Sequence, residues 1–197
     1  MKNENSISYF KKLAINHPTE KSVKVAPESD HTNLDSQFIL QYCNKNTTIL
    51  DLASGSGLIV NKIFQHVKSI TAVELFPEFS KFITNNKKIK IVNENISTYQ
   101  TDKQYDLITM FGISQYFNKK EITNIYKKYR NYLKNNGKII IKNQFGIDQD
   151  VIISGYSENL KTDYFSEYRH LKKETKILSK VGFKNIKVVD IYPPEHN

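Results

Sequence analysis

The nine residues 49–57, Ile-Leu-Asp-Leu-Ala-Ser-Gly-Ser-Gly, constrain this chain more than any other segment. A short apolar strand (48–52) carries Asp51 near its end and runs straight into Gly55 and Gly57. Glycine turns where other residues cannot, and it has no side chain to hold a ligand off the backbone. A helical pattern begins directly afterwards, at Leu58. The next strand (69–74) closes on Glu74. An ionised carboxylate there has two acceptor oxygens to offer the two hydroxyls of a ribose. The set reads as a nucleoside-binding turn. A glycine-rich turn with no binding role is the alternative.

The rest of the chain repeats the alternation. Strand patterns cover 89–93, 105–111, 138–142 and 184–191. Helical patterns cover 58–66, 77–85, 119–133 and most of 164–181, with Gly137 and Gly182 as stops. Strands separated by helices imply an α/β fold with a mainly parallel sheet and helices on both faces. The nearly continuous apolar runs at 106–111 and 138–142 suit strands buried on both sides. Before this core, residues 1–46 read as a helical preface: a short amphipathic stretch around Tyr9, Phe10 and Leu13, a polar loop or lid at 18–30, and a second helix. Residues 145–163 form a connection far longer than the usual ~2–6 residues and read as a substrate-covering insertion.

Composition narrows the class. The chain is long enough for one domain and a modest extension, since domains hold ~100–200 residues. It shows no apolar run of membrane-spanning length and no signal-peptide pattern, so a cytoplasmic protein without a membrane partner is expected. The lone Cys43 excludes an internal disulfide framework and a multi-cysteine zinc site, and no metal is called for. The net charge of +9 invites a nucleic-acid reading. The charge is nearly all lysine, however, dispersed from Lys2 to Lys187, and the only arginines are Arg130 and Arg169. Nucleic-acid readers cluster their cations and favour arginine for bidentate contacts. A solvated basic surface is the simpler account.

Two cofactor classes use a strand–glycine-loop–helix turn. A dinucleotide fingerprint needs a third small residue where this chain has the branched Val60. An S-adenosylmethionine site instead uses an acid near the loop and binds no phosphate, which suits Asp51. Here the sequence resembles the class I S-adenosylmethionine-dependent methyltransferases, from about residue 32 to 192. ILDLASGSG is similar to their first motif, with Ala53 where many members carry glycine. AVELF, with Glu74 and Leu75, resembles the ribose-binding segment. NENI resembles the adenine-binding segment, with Asn95 where aspartate is commoner and Ile96 packing on the ring. YDLITMFGISQYF is similar to the fourth-strand motif, and LKNNGKIII to the join into the fifth strand.

The resemblance implies a Rossmann-like class I methyltransferase fold: a cover at 1–46 and a core at 47–197. The family sheet ends in a hairpin of sixth and seventh strands. This sequence ends after the sixth, so either it is a piece of a longer chain or the final seventh strand is missing and leaves an edge open to a second copy. S-adenosylmethionine is the implied cofactor and S-adenosylhomocysteine the product. Asp51, Ala53, Ser54, Gly55, Gly57, Glu74, Leu75, Asn95, Ile96, Phe111 and Gly112 are the implied cofactor residues.

Topology extends the site. Ligands of open α/β sheets lie beyond the carboxyl ends of the strands. That places His31, the 112–117 loop, the segment after Lys142 and the start of the last helix around the methyl group. His31, Tyr116 and His170 are candidate catalytic residues; a histidine titrating near neutrality suits a general base. Gln115, Asn143, Gln144, Tyr164, Tyr168 and Arg169 are candidate substrate residues, with Arg169 suited to a phosphate or carboxylate. Each also has a plain reading as a loop or surface residue.

The expected function is O-methylation of a small anionic acceptor. The runs KNQFGIDQDVIISGYSE, SEYR and GFKNIKVVDIYPPEHN resemble small methyltransferases of bacterial capsule and surface-polysaccharide biosynthesis. Their acceptors are sugars, sugar nucleotides or capsule phosphoramidate groups. Two alternatives stay open. A nucleic-acid methyltransferase that modifies base amino groups would carry a Pro-Pro-Tyr/Phe motif after the fourth strand, where this chain reads MFGISQYF. A non-catalytic cofactor-binding scaffold would keep the loop and show no turnover.

Overall fold

The computed structural model describes residues 2–21 and 31–192. Five strands form one parallel sheet: β1 (Thr48–Leu52), β2 (Ser69–Glu74), β3 (Ile89–Asn93), β4 (Tyr105–Phe111) and β5 (Leu133–Lys142). Their order is β3-β2-β1-β4-β5. The chain runs outward from β1 to β3, then returns to the other side of β1 for β4 and β5. The carboxyl ends of β1 and β4 flank this reversal, where open α/β sheets bind their ligands.

Alternation within each strand serves two cores. Leu50, Leu52, Ile108 and Met110 face helix α5 (Lys119–Arg130) through its buried stripe of Ile122, Ile125, Tyr126 and Tyr129, together with Ile177 and Leu178 of helix α6 (Leu171–Val181). Ile49, Ile70, Ala72 and Leu107 face the other way. They pack on Ile39 of the helix Thr32–Leu40 and on Val60, Ile63 and Phe64 of the short helical stretch after the glycine loop. The α5 stripe has the expected helical spacing. Asn118 and Glu121 close its start as a capping box, each side chain accepting a backbone N–H of the other residue.

Several expected elements differ. The helix expected over 58–66 is an α-helical turn, Val60–Ile63, followed by a 3-10 turn, Phe64–His66. The one expected over 77–85 is the single turn Pro77–Ser80. The helix expected to reach 133 ends at Arg130, and Gly137 lies inside β5. It belongs to a bulge, where Tyr105 pairs with Leu133 but Leu107 with Lys138. A Cβ at Gly137 would come within 3.0 Å of the Lys134 and Tyr105 carbonyl oxygens, so glycine is what the bulge accepts.

The largest differences lie after β5. The long connection carries strand β6 (Val151–Ser157), which pairs antiparallel with β7 (Thr162–Tyr168). Residues 164–168 are expected to be helical, but they belong to β7, and the helix begins only at Leu171. In Thr-Asp-Tyr-Phe-Ser-Glu-Tyr the aromatic spacing mimics a helical face. The β-forming residues and an available partner in β6 decide the outcome. Gly182 does end α6, in the left-handed conformation at φ 103°. Residues 184–191, expected to be a strand, form none; Ile186, Val188 and Val189 are exposed.

The hairpin serves as a seat for the N-terminal helix α1 (Lys2–Asn16). Ser6 Oγ donates to the Phe165 carbonyl at 2.9 Å, and the hydroxyls of Ser8 and Thr162 lie 3.3 Å apart. Tyr9 meets Tyr164 edge-on at 4.9 Å between ring centroids. The helix thereby lies across the carboxyl ends of the strands. Most of the expected 18–30 lid, residues 22–30, lies outside the described residues.

Candidate functional site

The glycine loop is held by Glu74. One carboxylate oxygen accepts the Gly55 N–H at 2.8 Å and the other accepts the Phe76 N–H at 3.0 Å. Each oxygen keeps a second lone pair for a ligand hydroxyl. Burial raises the Glu74 pKa, and the backbone N–H donors work against that rise. Asp51 is equally buried. Parallel register places it opposite Thr109, whose hydroxyl donates to it. Burial nevertheless pushes its carboxyl up to about 6. The loop adopts left-handed backbone at Ala53, Gly55 and Gly57, with φ of 57°, 56° and 77°. Ala53 bears the cost its methyl group brings there, of order 1 kcal/mol. At Gly57 a methyl would sit 2.7 Å from Ile83 Cγ1, so the loop cannot close on Ile83 with any larger residue.

These residues border one cavity of about 280 Å³. Its walls include Asp51, Ala53, Ser54, Gly55, Glu74, Leu75, Asn95, Ile96, Phe111, Gly112 and Tyr116. Gly57 lies behind the wall and shapes it. Ser6, Ile7 and Phe10 of α1 close the cavity from above, and Phe10 meets Tyr116 edge-on at 5.2 Å. The far wall carries two residues that the sequence reading passed over, Asp35 and Lys142. Lys142 Nζ donates to Asp35 Oδ2 at 2.9 Å, and the Tyr192 hydroxyl donates to Asp35 Oδ1 at 3.0 Å.

Residues 49–137 match a family model described as a methyltransferase domain. Together with the reversed five-stranded parallel sheet and the Asp51–glycine-loop–Glu74 constellation, that match decides the matter. Over residues 49–137 the chain reads as a methyltransferase domain, on a fold shared with S-adenosylmethionine-dependent methyltransferases. Similar solved folds run through nearly the whole chain. DhpI in complex with S-adenosylhomocysteine has a TM-score of 0.73 at 14% identity, covering 95% of this chain and 94% of that one. A Leishmania major S-adenosylmethionine-dependent methyltransferase has 0.67 at 16%, covering 89% and 73%. The glycopeptide N-methyltransferase MtfA with sinefungin has 0.65 at 14%, covering 81% and 85%. No curated protein matches the chain by sequence.

Within this methyltransferase domain the expected catalytic and substrate residues part company. Tyr116 faces the cavity, and burial raises its hydroxyl pKa well above the usual value, as does the neighbouring Tyr164. It stays a neutral hydrogen-bonding group and is no base at neutral pH. His31 is not among the lining residues. Its ring lies against Tyr192, 4.4 Å between centroids, behind the wall that Thr32 and Asp35 form. His170 is the N-cap of α6, its Nδ1 accepting the Lys172 N–H, and it does not reach the cavity.

Arg169 corrects a central expectation. It is 3% exposed. Its Nε donates to Glu174 at 2.6 Å, and its two Nη atoms donate to the Phe117 and Ser114 carbonyls at 2.7 Å each. The guanidinium clamps the loop after β4 and does not face an acceptor. Asn143 is similarly engaged, donating to Ser114 Oγ, while Gln144 is exposed and outside the wall. Gln115 donates to the Gly112 carbonyl and is buried beside the wall. Tyr164 and Tyr168 belong to β7, and Tyr164 supports Tyr116 and Tyr9 from behind. Asp35 and Lys142 escaped notice because each sits at the border of an apolar run. Only the sheet register, which sets Lys142 beside Phe111, brings Lys142 to the site.

Proposed function

We propose that this chain transfers a methyl group from S-adenosylmethionine to an oxygen of a small anionic acceptor: a sugar, a sugar nucleotide or a phosphoramidate group of a bacterial surface polysaccharide. The work would be done in the cytoplasm. The observation that carries the anionic acceptor is the make-up of the cavity wall. No histidine lines it among the described residues. Tyr116 is held neutral, and Asp51, Glu74 and Asp35 each accept hydrogen bonds from the protein. Glu94 stands beyond β3, at the opposite edge of the sheet from Lys142. A neutral hydroxyl acceptor needs a group positioned to take its proton, whereas an already ionised oxygen needs none.

When bound, S-adenosylmethionine would supply a sulfonium-activated methyl group, the acceptor oxygen's lone pair forming the new C–O bond and the S–C pair leaving with sulfur. The chain contributes position and exclusion of water. Glu74 would hold the ribose hydroxyls, Asn95 and Ile96 the adenine, and Asp51 the cationic amino-acid end. Phe10 and Tyr116 would keep water from the reacting atoms, leaving alignment as the main catalytic contribution. The polysaccharide context is supported by the sequence resemblance of residues 142–158, 166–169 and 182–197 alone.

The test is methyl transfer from labelled S-adenosylmethionine to a panel of sugar phosphates, sugar nucleotides, neutral sugars and tRNA. Label in an anionic sugar derivative is the expected result. Label in tRNA or neutral sugars alone would contradict the proposal.

A further inference from the structure

Among the described residues lining the cavity there is one cation, Lys142, against four carboxylates: Asp35, Asp51, Glu74 and Glu94. Its position is set by the sheet. Phe111 pairs with Lys142 across β4 and β5, and Leu52 pairs with Val73 on one side and Met110 on the other. Glu74, Ala53, Phe111 and Lys142 therefore occupy one rung. Strands lie ~4.8 Å apart, so Glu74 and Lys142 stand roughly 14 Å from each other at the same level of the cleft. A ligand laid along that rung has its ribose at one end and its reacting partner toward the other.

The ammonium at the far end is a built group. Its side chain is 31% exposed while the Asp35 side chain is 3% exposed. Asp35 takes one N–H, and the Tyr192 ring at 4.7 Å and the Phe111 ring at 5.7 Å flank the charge. Aromatic faces attract a cation without consuming its hydrogen-bond donors. An ammonium has three donors, so two remain for a ligand. Asp35 is itself fixed by Tyr192, which keeps the pair from swinging.

We propose that Lys142 is the acceptor-binding cation of this site, positioned by Asp35 and presenting its remaining N–H donors to an oxyanion of the substrate. The assignment rests on the methyl-transfer reading above and gives it the specificity residue that Arg169 does not provide. It also explains why a nearly buried carboxylate stands in the wall: Asp35 holds the lysine.

The experiment uses the full chain saturated with S-adenosylhomocysteine and titrated calorimetrically with inorganic phosphate. Wild type should bind phosphate. Lys142→Met should weaken that binding at least tenfold while S-adenosylhomocysteine affinity stays within twofold, and Lys142→Arg should restore most of it. In parallel, lysine acetylation of wild type should show Lys142 protected by phosphate in the S-adenosylhomocysteine-loaded protein, a readout independent of how the variants fold. Unchanged phosphate affinity in Lys142→Met, or Lys142 acetylated equally with and without phosphate, would overturn the proposal. Failure of wild type to bind S-adenosylhomocysteine would overturn the methyl-transfer reading beneath it as well.

Discussion

Asp51 shows how one side chain can tie ligand affinity to pH. Its carboxyl is lifted from 3.8 to about 6 by burial, against the opposing hydroxyl of Thr109. A carboxyl with a raised value in the folded state adds stability below about 4 and loses that contribution as pH rises through about 6. In its proposed role toward the cationic amino-acid end of the cofactor, Asp51 would act the other way, because a cationic amino group prefers the ionised acid. S-adenosylhomocysteine affinity should therefore fall as pH drops below about 6, approaching tenfold per pH unit. Calorimetry from pH 5 to 8 checks this, and Asp51→Asn should flatten the profile. Asp51 and Glu74 were both legible in the sequence, because each sits at a strand end beside a glycine loop. Arg169 was not correctly read. A buried arginine bonded to carbonyls has the same sequence appearance as one waiting for an anion; only the pairing with Glu174 separates the two.

At the scale of elements, Arg169 and Glu174 join the hairpin, α6 and the loop after β4. Tyr126 of α5 also donates its hydroxyl to Glu174. Removing one partner of a buried ion pair leaves the other charge uncompensated, at a cost of about 3–5 kcal/mol. Arg169→Met should therefore lower the unfolding free energy by that order in denaturant titrations. A variant of native stability would show the clamp to be idle. The same elements mark the limit of sequence reading. The parallel core was legible because buried strands are continuously apolar, a rule that β1, β2, β4 and the 138–142 half of β5 nearly follow. Residues 162–168 were not, because Tyr164, Phe165 and Tyr168 satisfy helical and strand spacing alike. Tertiary pairing with β6 settles the choice, and β6, at Val-Ile-Ile-Ser-Gly-Tyr-Ser, is mostly exposed and carries little pattern of burial. The 184–191 run fails in the opposite sense: it has strand composition but no ladder partner in the described residues.

For the whole molecule, the arrangement is a sheet whose carboxyl edge forms a cleft, covered by α1 seated on the β6–β7 hairpin. Among the described residues no helix is long and apolar enough to cross a membrane. Among the described residues lining the cavity, carboxylates outnumber the single lysine, so the net charge of +9 is not concentrated there. The charge is thus a property of the surface, and chemistry at the site depends on a few residues fixed by register. The central claim is that the cleft holds S-adenosylmethionine by way of Glu74. Calorimetric titration of S-adenosylhomocysteine into wild type and Glu74→Ala at neutral pH tests it directly. The account predicts one site per chain in wild type and a loss of about 1–3 kcal/mol in the variant, the cost of leaving bound hydroxyls unpaired. No binding by wild type, or equal affinity in a folded Glu74→Ala variant, would contradict it.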